Sequence, residues 1–144
     1  MKITDRFTAP PAVAGALFVP VVQIDRTLYV SGHIARREGK PWIGRLGETM
    51  TTVEGQEAAR AVAIDLLGTL QAATDLTRIK RIAKLLVLIN SASTFTEPHL
   101  VANGASELFR EIFGEQGVHA RSAIGVAQLP FGSCVEIELI AELA

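Results

Sequence analysis

Apolar residues in this chain recur with two different periods, and the changes of period mark out its elements. Two short β-prone runs, Phe18 to Ile24 and Thr27 to Ser31, are separated by Asp25-Arg26 and predict an antiparallel hairpin. Ahead of them Thr8-Ala9-Pro10-Pro11 reads as an extended arm, because proline fixes φ and biases its predecessor away from helix. A glycine-rich, irregular stretch from Glu38 to Met50 carries Trp42, Gly44 and Gly47. Thr51-Thr52-Val53-Glu54 is a capping-box pattern, and Ala59, Ala63, Leu66, Leu67 and Leu70 follow at helical spacing until about Asp75. Lys80 to Ile89 predicts a strand that is apolar at both alternations over Leu85-Leu86-Val87-Leu88-Ile89. A second helix is expected from about Thr96, with Pro98 in its first turn, Val101, Leu108, Phe109 and Ile112 facing inward, and Gly114 as terminator. Two last strands, about His119 to Gln128 and Cys134 to Leu143, are joined by the turn Leu129-Pro130-Phe131-Gly132; paired as a hairpin, they would bring Arg121 and Glu136 toward the same region of the sheet.

The order β-β-α-β-α-β-β places two helices against about five strands, so the helices cover one face of the sheet. This predicts an α+β fold, a mixed sheet with both helices on one side, as a single domain over residues 1–144. In the last strand Val135, Ile137, Leu139, Ala141 and Leu143 form one face, and Glu136, Glu138, Ile140 and Glu142 the other. The strand from Lys80 is apolar on both faces, so the uncovered side is not a simple solvated surface. Burial against other copies of the chain is expected.

Composition narrows the function classes. Hydrophobic residues make up 49% of the chain and charged residues 20%, with a net charge of −1. No basic run exceeds Arg36-Arg37, so the phosphate-neutralising footprint of a nucleic-acid binder is missing. The single cysteine, Cys134, allows no internal disulfide and fits a reducing compartment. The first residues lack the apolar run of a signal peptide, and no stretch approaches the ~20 apolar residues of a membrane span. A cytoplasmic protein without nucleic-acid or membrane partners is expected.

Conventional catalytic motifs are sparse. His33, His99 and His119 lie far apart without metal-ligand spacing, and read as surface or packing residues. Ser31-Gly32-His33 lacks the strand–elbow–helix context of a hydrolase nucleophile, and Cys134 has no adjacent base. The remaining candidates are Arg121 and Glu136, each near the start of a C-terminal strand. An arginine offers a planar fork suited to a carboxylate, and a glutamate can hold a water or accept a proton. A structural salt bridge or a solvated strand end accounts for the same pair.

Three segments carry a resemblance to a known family: Leu28-Tyr29-Val30-Ser31-Gly32-His33-Ile34; Asp75-Leu76-Thr77-Arg78-Ile79-Lys80-Arg81-Ile82-Ala83-Lys84; and Ala120-Arg121-Ser122-Ala123 through Leu129-Pro130 to Val135-Glu136-Ile137-Glu138. In that order, from about Phe18 onward, they resemble the Rid (YjgF) family, also labelled endoribonuclease L-PSP. The resemblance implies a chorismate-mutase-like fold assembled as a homotrimer, with sites in the clefts between subunits. It implies that Arg121 clamps a substrate carboxylate and Glu136 orients the hydrolytic water. Ser31, Gly32 and the backbone at Ala123 would line the pocket with Phe18, and Asn103 on the second helix matches a further pocket residue. The implied reaction is hydrolysis of 2-imino acids or their enamine tautomers to 2-keto acids and ammonia, with no metal or cofactor.

Departures from the family pattern bear on that reading. Deaminating members typically carry tyrosine at the position of Phe18, so the pocket lacks one hydroxyl. Ala123 stands where cysteine is frequent, and His33 where glutamine is usual. Gly125-Val126-Ala127 and the loop from Trp42 to Gly47 resemble a less-studied branch. A non-catalytic, small-carboxylate-binding or regulatory trimer is therefore an alternative to the deaminase. Ribonuclease activity is a weaker one, since neither a basic surface nor an acid–base pair for phosphodiester cleavage is visible.

Overall fold

The computed structural model describes residues 1–144. Its order is β1 (Val21–Ile24), β2 (Thr27–Ile34), the two-residue strands β3 (Arg36–Arg37) and β4 (Lys40–Pro41), α1 (Thr52–Ala73), β5 (Ile79–Asn90), α2 (Pro98–Phe113), β6 (Ala120–Val126) and β7 (Val135–Leu143). Five strands form one sheet in the order β1-β2-β7-β5-β6, and β3 and β4 form a small separate ribbon at the entrance to the stretch read as irregular. The first strand starts at Val21, so Phe18 belongs to the arm and not to the sheet. No helix is long and apolar enough to cross a membrane.

One expected pairing is corrected. The last two strands do not form a hairpin: β6 pairs in parallel with β5, while β7 runs antiparallel to β5 and to β2 and lies between them. A parallel partner needs a crossover, and α2 supplies it between β5 and β6. The chain must then leave the edge and pass over β5 to reach the central slot. It does so through the turn Pro130–Gly132, where Phe131 takes φ 60° and Gly132 φ 72°.

The capping box forms as expected. Thr51 Oγ1 accepts from the Glu54 amide at 3.2 Å, and Glu54 Oε1 accepts from the Thr51 amide at 3.1 Å. From there α1 buries Ala58, Ala59, Val62, Ala63, Leu66, Leu67 and Leu70. In α2 the buried stripe is Val101, Ala102, Ala105, Leu108, Phe109 and Ile112. Both stripes cover one sheet face, made of Leu28, Val30, Leu85, Val87, Ile89, Val135, Ile137, Leu139 and Ala141. The helices approach each other closely at Gly104, where a Cβ would collide with the Gln56 carbonyl.

The other sheet face has no cover within the chain. Val22, Ile24, Tyr29 and Ile124 are exposed on it, between 45% and 57%, and Leu86, Leu88 and Ile140 are half-buried. Polar groups interrupt this surface at Lys84, Ser122, Glu136, Glu138 and Glu142. A depression of about 470 Å³ runs between Val22, Tyr29, Leu86, Ser122, Glu138 and Ile140.

Candidate functional site

The residues singled out from sequence fall into two groups. The first surrounds Glu136. On β2 the pairing with β7 slips by one residue, from Val30 opposite Leu139 to His33 opposite Ile137, so Ser31 and Gly32 share a β-bulge. The bulge has a purpose that glycine explains: a Cβ at Gly32 would run into the Glu136 carboxylate. Ser31 Oγ donates to the Val19 carbonyl at 2.7 Å and its amide to the Pro20 carbonyl at 2.9 Å, which ties the arm to the bulge. Phe18 precedes that tie and is 64% exposed. A cleft of about 650 Å³ opens here between the arm, β2 and α1, lined by Phe18, Ser31, Gly32, His33 and Arg36 among others.

His33 is a packing residue, as expected of it. Its Nδ1 lies 2.7 Å from the Ser31 carbonyl and its Nε2 2.7 Å from Thr69 Oγ1 on α1. A carbonyl only accepts, so Nδ1 carries the proton and Thr69 donates to Nε2. Burial pushes its pKa below the usual imidazole value, so the neutral ring clips the bulge to the helix.

Glu136 makes no hydrogen bond or ion pair within the chain. Burial, and then the neighbouring Glu138 charge, raise its pKa above the ordinary carboxyl range. Such a carboxylate is a better proton acceptor than a solvated one. Cys134, by contrast, is buried, and desolvation pushes its thiol up to about 11, which removes it as a nucleophile at neutral pH.

The second group surrounds Arg121. Its Nη1 donates to Asn103 Oδ1 at 2.8 Å and to Ser106 Oγ at 3.0 Å, and its Nη2 donates to the His99 carbonyl at 3.2 Å. All three partners lie on α2. Arg121 has no carboxylate partner, and its Nε–H and one Nη2–H find no acceptor in the chain. Ala123 sits two residues along β6 on the same face, opposite Val87 as Arg121 is opposite Leu85.

The two groups do not meet within one chain. Arg121 shares the face of Leu85, which the helices cover, whereas Glu136 pairs with Leu88 on the uncovered face. Two strand spacings and three residues along the sheet put their Cα atoms roughly 14 Å apart. The intrachain salt bridge that could have explained both residues is therefore excluded. Sequence reasoning missed Ser106, His119 and Thr69 as partners of these groups. Only the helical spacing of Asn103 and Ser106 could have flagged one of them.

Residues 7–143 match a family described as "YjgF/chorismate_mutase-like, putative endoribonuclease". The chain is 48% identical over 138 residues to Protein TCP17 of Trypanosoma cruzi, spanning 93% of this chain and 86% of that one. It is 33% identical over 131 residues to the 2-iminobutanoate/2-iminopropanoate deaminase of Rattus norvegicus, spanning 91% and 82%. A crystal structure of a protein of unknown function from Agrobacterium tumefaciens superposes with a TM-score of 0.87 at 40% identity, covering 90% of this chain and 83% of that one. RidA from an Antarctic Psychrobacter superposes with a TM-score of 0.59 at 30% identity, covering 94% of each.

Proposed function

Because this chain belongs to the YjgF/chorismate mutase-like family, we propose that it is a homotrimeric hydrolase that converts 2-imino acids, or their enamine tautomers, into 2-keto acids and ammonia at sites between subunits. The observation that carries the reading is the pair of unpartnered charges. A half-buried Glu136 without a donor and an Arg121 without a carboxylate lie on opposite sides of one sheet. Within one copy the two do not meet; Arg121 stands on the edge strand β6, where a second copy seated with this edge against the uncovered face of the first would present it to Glu136. The apolar residues Val22, Tyr29, Leu86 and Ile140 give that face a reason to pack.

The chemistry needs little more than position. Arg121 takes the substrate carboxylate through its two unspent donors, and Asn103 holds the guanidinium from behind. Glu136, beside the cleft left by Gly32, takes a proton from water as the oxygen bonds to the iminium carbon. The resulting carbinolamine receives that proton on nitrogen. The C–N bond then breaks, and Glu136, ionised again, takes the proton of the new hydroxyl as it becomes the keto oxygen and passes it to the leaving ammonia. Every proton that Glu136 removes from water ends on the departing ammonium, so the carboxylate is regenerated.

A second reading, a carboxylate-binding trimer without turnover, is favoured by Phe18, which brings no hydroxyl to the cleft. One experiment separates them. The protein is added to an amino-acid oxidase reaction and the appearance of keto acid is followed. Faster keto-acid release is the expected result. Saturable keto-acid binding without acceleration supports the binder, and the absence of both overturns each reading.

A further inference from the structure

Behind Arg121 lies a second layer of hydrogen bonds. His119 Nδ1 is 2.7 Å from the Gly117 carbonyl, and its Nε2 is 2.9 Å from Ser106 Oγ, which in turn is 3.0 Å from Arg121 Nη1. We propose that Ser106 and His119 are positioning residues, which lock the Arg121 guanidinium in one orientation for carboxylate binding through a directed hydrogen-bond relay. The inference rests on the assignment of Arg121 as the carboxylate clamp and deepens it.

The direction of each bond follows from what each group can do. The Gly117 carbonyl only accepts, so the neutral His119 ring carries its proton on Nδ1 and offers a lone pair at Nε2. Arginine only donates, so Ser106 Oγ accepts from Nη1, and its own hydroxyl proton points to His119 Nε2. Each bond along Arg121–Ser106–His119–Gly117 then has one donor and one acceptor, and all three run in the same direction. A neutral ring is what the surroundings favour: burial lowers the His119 pKa, and the nearby Arg121 charge lowers it further. The ring itself stands edge-on to Phe109, with centroids 6.2 Å apart at 85°, and packs against it on that side. Asn103 Oδ1 fixes the same Nη1 from the other side. The guanidinium plane is thus set by α2 and by the residue two before it in the chain. The two hydrogens left over, on Nε and Nη2, are the ones free for a ligand.

Two measurements test the proposal. Nitrogen-15 NMR of the imidazole side chains, with His119→Gln used to assign the signal, is expected to report the Nδ1–H tautomer for His119. The Nε2–H tautomer overturns the relay whether or not the protein is a deaminase. Calorimetric titration with 2-oxobutanoate supplies the functional readout. Ser106→Ala and His119→Leu are each expected to weaken binding about 5- to 20-fold, which spans the upper end for an ordinary hydrogen bond and the lower end for one to a charged group. The double variant should be no weaker than the worse single one, because both cut the same chain, and Ser106→Thr should retain wild-type affinity by keeping the hydroxyl. In an Arg121→Lys background both substitutions should become silent. Effects that persist there mark a general disturbance of the fold and overturn the positioning role. If Arg121→Lys alone leaves affinity unchanged, the clamp itself is lost, and with it the functional half of the proposal, while the tautomer still reports on the relay.

Discussion

At the scale of single residues Glu136 makes the sharpest demand on experiment. As a general base it works only when ionised, and its raised pKa moves that requirement toward neutrality. Imine hydrolysis should therefore fall as the pH drops through this value. Glu136→Gln should reduce keto-acid formation by roughly 100-fold or more, the usual worth of a positioned base, and Glu138→Gln far less. Stability should move the opposite way. A carboxyl whose folded pKa is raised binds its proton more tightly in the folded state, so its ionised form weakens the fold above the unfolded pKa. Removing the charge in Glu136→Gln should thus raise the Tm at pH 7, with the gain shrinking in acid. A variant that loses both activity and stability points instead to a structural glutamate. Residue type and position were legible here for Arg121 and Glu136 through a resemblance of motifs. Ser106, His119 and Thr69 were not, because a hydroxyl or imidazole that acts through a neighbour leaves no period and no motif.

Among the elements, the helices and their caps could be read directly, since Thr51 and Glu54 announce α1 and the apolar spacing continues through Leu70. The five strands of the main sheet were also legible, but the β3–β4 ribbon and the partnerships of the last two strands were not. The short turn at Leu129–Gly132 suggested a hairpin, and consecutive strands often do pair. What decides otherwise is burial. The strand β7 alternates buried apolar residues with a second face of Glu136, Glu138, Ile140 and Glu142 and fills the centre, while β6, with Ala120, Ser122 and Gly125, suits an edge. Such a choice depends on contacts across the whole sheet and not on the turn. The α1–α2 contact offers a test at this scale. Gly104→Ala gains helix propensity of up to about 1 kcal/mol, yet drives a methyl into the Gln56 carbonyl. Overpacking of this kind typically costs about 1–3 kcal/mol, so a net loss of stability is expected in urea unfolding. An unchanged midpoint would mean that the helices separate easily.

For the whole molecule the question is what covers the open sheet face. Its mixture of exposed Val22, Ile24, Tyr29 and Ile124 with scattered charges predicts contact with further copies of the chain. Leu86→Lys places a second cation beside Lys84 in the middle of that face. Sedimentation equilibrium is expected to show a trimer for the wild type and a folded monomer for this variant; a wild-type monomer at micromolar concentration removes the shared-site scheme. The separation of Arg121 from Glu136 onto opposite faces bears on heredity as well. If each working site takes its arginine from one chain and its glutamate from the next, then damage to the two residues need not be cumulative. A cell carrying one allele with Arg121→Lys and another with Glu136→Gln would assemble mixed rings. In these, about a quarter of the sites receive both intact residues, given equal expression and random association. Two inactive gene products, refolded together, should recover activity that neither has alone, whereas a chain bearing both lesions should rescue nothing.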